Sequence, residues 1–326
     1  MTPVELSRTV LRAVRRAVDA GELEVAVPAR VVVAPPGAGG CGDYATNIAL
    51  QLARPAGRPP LQVAEILRPH ISGTDGVAGV EITGPGFLNI RLQGVAAPLV
   101  HAIRAGEYGR GDALDGQVVV LRIPYDVRAE VVADVLVRVL AVQGGRVEVE
   151  HARPGEPVDL RPVPAAEDPA PLGPDASRWA LLHPAAHDRP RISADHLVQR
   201  ESNPLFRVRY ARARARALSR GAARLGFDSG PDDVPRDVPG TEDLLAALAG
   251  YPQALAAAAA HRAPDRLARH LVTTADALLA FQYTVLPLGD EKPSAAHRAR
   301  LALAEAAGTV LAGGLSLLGI SAPDYL

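Results

Sequence analysis

The chain has 326 residues, a formal net charge of -1, one cysteine and one lysine. That length supports two or three domains with cores of their own, and a lone Cys41 excludes an intrachain disulfide framework and fits a reducing, cytoplasmic setting. Near-neutrality excludes a generally basic nucleic-acid binder, so such a role must rest on local clusters. The N-terminal segment is charged throughout, and no run of about eighteen apolar residues occurs, so neither an export signal nor a membrane span is expected.

In chain order, Thr2, Pro3 and Glu5 read as a capped helix start, and Leu6, Val10, Leu11, Val14 and Val18 carry that helix to about Gly21. "RVVVA" reads as a strand, "YATNIALQLA" and "PLQVAEILRPHI" as helices, and "GVEIT" and "FLNIRL" as strands around the turn "GPG". Tyr44, Thr46 and Asn47 are expected to cap and pack their helix. With the helix "VAAPLVHAIRAGEYG" these elements make a small α+β domain over residues 1–110. "QVVVLRI", a helix from Asp126 to Val142 and "RVEVE" form a strand–helix–strand unit over residues 111–150. Residues 151–175 are rich in proline and read as an extended linker. From residue 176 onward the pattern is helical: "ASRWALLH", Ala194 to about Leu225, "TEDLLAALAG", "PQALAAAAAH", "PDRLARHLVTTADALLAFQYTVL" and "SAAHRARLALAEAAGTVLAGGLSLLG". The expected fold is therefore α+β: a small N-terminal α+β domain, a short βαβ unit, and a C-terminal all-α helical bundle over residues 176–326.

Arginine is concentrated in "NPLFRVRYARARARALSR". On a helix, Val208, Ala211, Ala215, Leu218, Ala222 and Leu225 form one apolar seam. Arg209, Arg212, Arg216 and Arg220 form a stripe about 16 Å long on the opposite face, expected to point outward. Arg207 and Arg214 project beside the seam. Residues 176–226 hold eleven arginines against Asp188, Asp195 and Glu201, a formal charge of +8. Guanidinium groups suit phosphate because they stay ionised and offer a fork of donors. A solvated face in an arginine-biased proteome, or pairing with the acidic loop from Asp228 to Asp243, accounts for the same residues.

The segment "NPLFRVRYARARARAL" resembles the start of the anticodon-binding helical domain of arginyl-tRNA synthetases, matching at Asn203, Pro204, Tyr210, Ala211, Ala213 and Arg214. "PDRLARHLVTTADALLAFQY", "RLALAEAAGTVLAGGLSLLGI" and "SAPDYL" are similar to later parts of the same domain. "GDYATNIALQLA" and "GPGFLNIRL" resemble the additional N-terminal domain of those enzymes. No His-x-Gly-His type signature is present, and the sole lysine, Lys292 in "GDEKPSA", does not lie in a Lys-Met-Ser-Lys-Ser type loop. "RIPYDVRAEVVADVL" stands where the first signature belongs, so residues 111–150 resemble a remnant of the catalytic fold. In this the chain is similar to the ArgS-related anticodon-binding proteins (NrtL group), which lack the catalytic core.

The resemblance implies a tRNA as partner and no enzymatic charging, with Tyr210 and Arg214 approaching an anticodon loop and Arg209 and Arg212 standing where the family has glutamine and histidine. Arg216 and Arg220 extend the row, and the terminal residues, here Tyr325 and Leu326, approach the same loop. Phe87 and Asn89 match an aromatic and an amide that contact the tRNA elbow, suited to stacking on a base and reading its edge. A partner enzyme receiving the tRNA, a protein-interaction module, and a residual enzyme using charged tRNA are the alternatives. No catalytic residue, cofactor, metal site or membrane is expected; "PPGAGGCG" lacks the spacing and lysine of a phosphate loop, and the nine histidines are scattered along the chain without the cysteine pairs of a zinc site.

Overall fold

The computed structural model describes residues 3–326 except 35, 37–40, 93, 95, 154, 231–233 and 235–237. The cap expected from Thr2, most of "PPGAGGCG" and much of the acidic loop after Phe227 thus lie outside the described residues. The chain divides into two compact units, residues 1–99 and 100–326.

In the first unit, α1 (Pro3–Asp19), α2 (Ile48–Ala56) and α3 (Pro60–Ser72) accompany four strands, β1 (Val33–Ala34), β2 (Tyr44–Thr46), β3 (Val77–Thr83) and β4 (Phe87–Leu92). The strands pair antiparallel in the order β1-β2-β4-β3. Leu88, Ile90 and Leu92 alternate inward along β4 and meet Leu6, Val10 and Val14 of α1, Ile48 of α2 and Val63, Leu67 and Ile71 of α3 in one buried core. Each fully buried leucine there contributes about 2 kcal/mol. Tyr44 and Thr46 do not open a helix as expected. They pair with Ile90 and Leu88 across β4, and Thr46 Oγ1 donates to Val32 O at 2.9 Å; this pairing outcompetes helix for a β-branched and an aromatic residue. Asn47 sits at the N-cap of α2 without a side-chain cap bond.

Helix α4 (Ala96–Arg104) contains the boundary between the units, and in the second unit β5 (Val118–Ile123) and β6 (Arg146–His151) pair in parallel around the crossover helix α5 (Val127–Val142), whose N-cap Asp126 accepts from Ala129 N at 3.0 Å. The proline-rich stretch is extended but packed. Asp159 N donates to Arg122 O at 2.7 Å, Val163 N donates to Ala186 O at 2.8 Å, and Leu160 and Pro162 are buried. Arg128 on α5 holds this stretch from the other side. It is 1% exposed, and its five N–H groups reach Leu181 O, Val163 O, Asp188 O, Pro184 O and Ala185 O at 2.7–2.9 Å. Burial pulls its pKa below the ordinary guanidinium range, which Asp126, Asp188 and Asp265 partly offset.

Beyond it stand α6 (Gly173–Leu182), a 3₁₀ turn at Ala194–Leu197, α7 (Pro204–Arg224), α8 (Thr241–Ala260), α9 (Pro264–Phe281) and α10 (Ala295–Leu317). α7 packs against α9 and α10, and α8 against α9. The predicted seam holds: Val208, Ala211, Ala215, Leu218 and Ala222 are at most 2% exposed, whereas Leu225, past the helix end, is 51% exposed.

The two helices expected around Pro252 are one, α8. Proline at 252 has no N–H for Leu248 O, and Tyr108 Oη supplies it, donating at 2.8 Å. Tyr108→Phe is therefore expected to lower stability by about 1–2 kcal/mol, because it orphans a carbonyl. In a Pro252→Ala background the same change should cost less, a coupling that denaturant melts of the four proteins would measure.

Candidate nucleic-acid interface

α7 begins at Pro204 rather than Ala194 because Asn203 caps it. Asn203 Oδ1 accepts from Leu205 N at 3.1 Å, while Nδ2 donates to His196 O and Val198 O at 2.8 and 2.9 Å. Proline at the first helical position completes the stop. One buried amide thus ties the helix to the turn that precedes it.

The arginine row on α7 is not the open stripe expected. Its side chains run along the helix as spaced, but α10 lies against α7 and the residues after it cross the row. Arg209 Nη2 is 3.1 Å from Ser321 Oγ and 3.5 Å from Asp175 Oδ2. Asp324 Oδ1 lies 3.0 Å from Arg212 Nη2 and 3.3 Å from Arg216 Nε. The Arg220 guanidinium sits 4.2 Å above the centre of the Tyr325 ring. Side-chain exposure is 18% at Arg212 and 49% at Arg216. Burial pulls the Arg212 pKa down, with Asp324 opposing. Two carboxylates thus meet three guanidinium groups and a ring meets the fourth, and neither carboxylate comes from the acidic loop after Phe227. Sequence reasoning missed Asp175 and Asp324, which reach the row only through the tertiary fold.

The crossing segment is anchored before it reaches the row. Asp134 on α5 holds both Arg138 and Arg178, which donate from Nε to Leu317 O at 2.8 Å and Leu318 O at 3.0 Å, capping the end of α10. Burial works to raise the Asp134 pKa, but the bonds from Arg138 and Arg178 outweigh it and hold the carboxyl below its usual range. Gly319 then turns the chain at φ +70°, where a Cβ would stand 2.7 Å from the Arg178 guanidinium. Ser321 N donates to Asp175 Oδ1 at 3.0 Å, and its hydroxyl binds Oδ2.

Beside the row, Tyr210 is 39% exposed and stacks on Phe206 with ring centres 5.6 Å apart. Phe206, Arg209, Asp175, Leu197 and Leu326 line an open pocket of about 210 Å³. Leu326 and Tyr325 are 54% and 71% exposed. Arg214 leaves this group: its Nε donates to the buried Gln282 Oε1 at 2.5 Å, and Arg207 pairs with Asp276 at 3.0 Å, so both brace α7 against α9. Arg189, Arg191, Arg200 and Arg224 are exposed, without an ion-pair partner among the described residues.

In the first unit Phe87 is 40% exposed at the start of β4. Asn89 is not placed to read a base: it is 2% exposed, its Nδ2 donates to Thr83 Oγ1 at 2.7 Å, and its Oδ1 accepts from Cys41 N at 3.3 Å. Its amide fixes the β3–β4 turn that presents Phe87. Among the described residues, no three His, Cys, Asp or Glu are grouped to hold a metal ion, and no helix is long and apolar enough to cross a membrane.

Residues 5–92 match the arginyl tRNA synthetase N terminal domain, and residues 208–326 match the DALR anticodon binding domain. The arginine–tRNA ligase of Renibacterium salmoninarum is 51% identical over 127 residues, which are 36% of this chain and 23% of that protein. The chain carries two domains of the arginyl-tRNA synthetase family. The arginine–tRNA ligase of Paenarthrobacter aurescens is 42% identical over 167 residues, 46% of this chain and 30% of that one. The chain thus spans less than a third of the length of these curated relatives. Its fold is that of the solved arginyl-tRNA synthetases of Thermus thermophilus (TM-score 0.70, 15% identity, 100% of each chain) and Plasmodium falciparum (TM-score 0.74, 9% identity, 99% of each chain). Arg209, Arg212, Arg216, Arg220, Tyr210 and the crossing segment all fall inside the anticodon-binding match, and Phe87 and Asn89 inside the N-terminal one.

Proposed function

We propose that this chain binds tRNA without charging it, using the α7 surface of residues 100–326 and the Phe87 turn of residues 1–99. The observation that carries the reading is the location, on an anticodon binding domain, of four arginines in a row flanked by the exposed rings of Tyr210 and Tyr325. Guanidinium groups track phosphates, and rings stack on unpaired bases in an RNA loop. The non-catalytic part rests on residues 93–207, between the two matched domains. They contain no lysine and no His-x-Gly-His type sequence, and so lack the groups with which the family's enzymes hold ATP phosphates during adenylate formation. Delivery of the bound tRNA to a partner enzyme and regulation of a synthetase, both in the cytoplasm, are roles that fit this reading.

Filter binding of unfractionated tRNA at several salt concentrations, alongside arginine-dependent ATP–pyrophosphate exchange, tests both parts. The expected result is binding that weakens steeply with salt and no exchange above background. Exchange activity would refute the non-catalytic reading, and absence of affinity at low salt would refute the binding reading.

A further inference from the structure

Asp324 and Tyr325 place a carboxylate and an aromatic ring, from adjacent residues, on three guanidinium groups of one helix face. One Asp324 oxygen bridges Arg212 and Arg216 at 3.0 and 3.3 Å, and the Tyr325 ring lies under Arg220 at 4.2 Å. A nucleotide offers the same two chemical parts in the same order: an anionic oxygen acceptor and a flat ring. The seat is also under-filled. Nε of Arg209 and of Arg212 are buried without a hydrogen-bond partner, so a ligand with more acceptor oxygens than one carboxylate satisfies donors that the segment leaves bare.

The segment is firmly anchored up to Ser321 and lightly held beyond it. Capping by Arg138 and Arg178 and the bonds of Ser321 to Asp175 fix its base. Past that point the polar contacts to the row are the two ion pairs of Asp324, whose side chain is 42% exposed, and the stack under Tyr325, which is 71% exposed. The Arg216 pair is open to solvent at both ends and the Arg212 pair at its carboxylate, and ion pairs open to water are individually weak and salt-sensitive.

We infer that residues 324–325 are an internal nucleotide mimic occupying a phosphate seat formed by Arg212 and Arg216, and that a polynucleotide takes the row by displacing them. The inference rests on the tRNA-binding reading and adds its regulation. A closed segment lowers apparent affinity by the fraction of molecules in which the seat is free. With two weak ion pairs holding it shut, that reduction is about five- to tenfold.

The test is fluorescence anisotropy with labelled unfractionated tRNA at low salt. Asp324→Asn is expected to tighten binding about five- to tenfold, while Glu167→Gln, which removes an equal charge from the exposed stretch before α6, changes it less than about twofold. In an Arg212→Gln/Arg216→Gln background, Asp324→Asn should bring no gain, since the seat is gone. If the wild-type chain binds and Asp324→Asn leaves affinity unchanged or weakens it, the mimic is overturned while the binding reading stands. If neither the wild type nor Asp324→Asn binds, the binding reading falls and takes the mimic with it.

Discussion

Arg128→Met is expected to destabilise the 100–326 unit by about 3–5 kcal/mol. The side chain is buried, and methionine nearly matches its apolar stem, so the lost volume is not the main term. What is lost is a complete set of donors. Five carbonyls, those of Val163, Leu181, Pro184, Ala185 and Asp188, lose a partner at once. Several of these face the end of α6, where the helix dipole already favours a cation. Arg128→Lys should recover only part of the loss, because an ammonium has three donors and no planar fork. Trp179 is the only tryptophan, is fully buried, and stands on α6 one turn before these carbonyls. Its fluorescence in a urea titration therefore reports this unit directly, and an Arg128→Met midpoint equal to wild type would show that water substitutes for the guanidinium at little cost.

How far this was readable beforehand depends on how local each cause is. The seam of α7 follows from the spacing of Val208, Ala211, Ala215, Leu218 and Ala222, and the burial of those residues follows from that spacing alone. The break before Pro204 was also open to a local reading, since Asn-Pro is a cap followed by a first-turn proline. The continuity of α8 through Pro252 was not, because the hydroxyl that satisfies Leu248 O belongs to Tyr108, 140 residues away. Arg128 looks like one more solvated arginine until the carbonyls of residues 181–188 are brought over it. The same holds at the site. Phe87 and Tyr210 were found by motif and are exposed, but helical periodicity placed the arginine row outward because it contains no information about Asp175 or Asp324. Asn89 shows the reverse: the motif names the residue, and only the fold reveals that Thr83 and Cys41 engage its amide.

Neutralising Arg209, Arg212, Arg216 and Arg220 together with glutamine is expected to weaken tRNA binding about a hundredfold at low salt. It should also reduce the slope of log affinity against log salt by about 3, at roughly 0.7 per single-strand phosphate contact. The slope is the more informative quantity, because a fold-change alone is also produced by a distorted helix. The four residues should not contribute equally. Arg216 has 49% of its side chain exposed and is expected to give the largest single loss, whereas Arg212, 18% exposed and held by Asp324, contributes only once that carboxylate leaves. Arg214→Gln is expected to act differently, lowering stability through the lost bond to Gln282 while leaving the slope unchanged. A quadruple variant that keeps the wild-type slope would move the phosphate contacts off α7 altogether. They would then fall to Arg189, Arg191 and Arg200, the exposed arginines of the approach to that helix that have no carboxylate to displace.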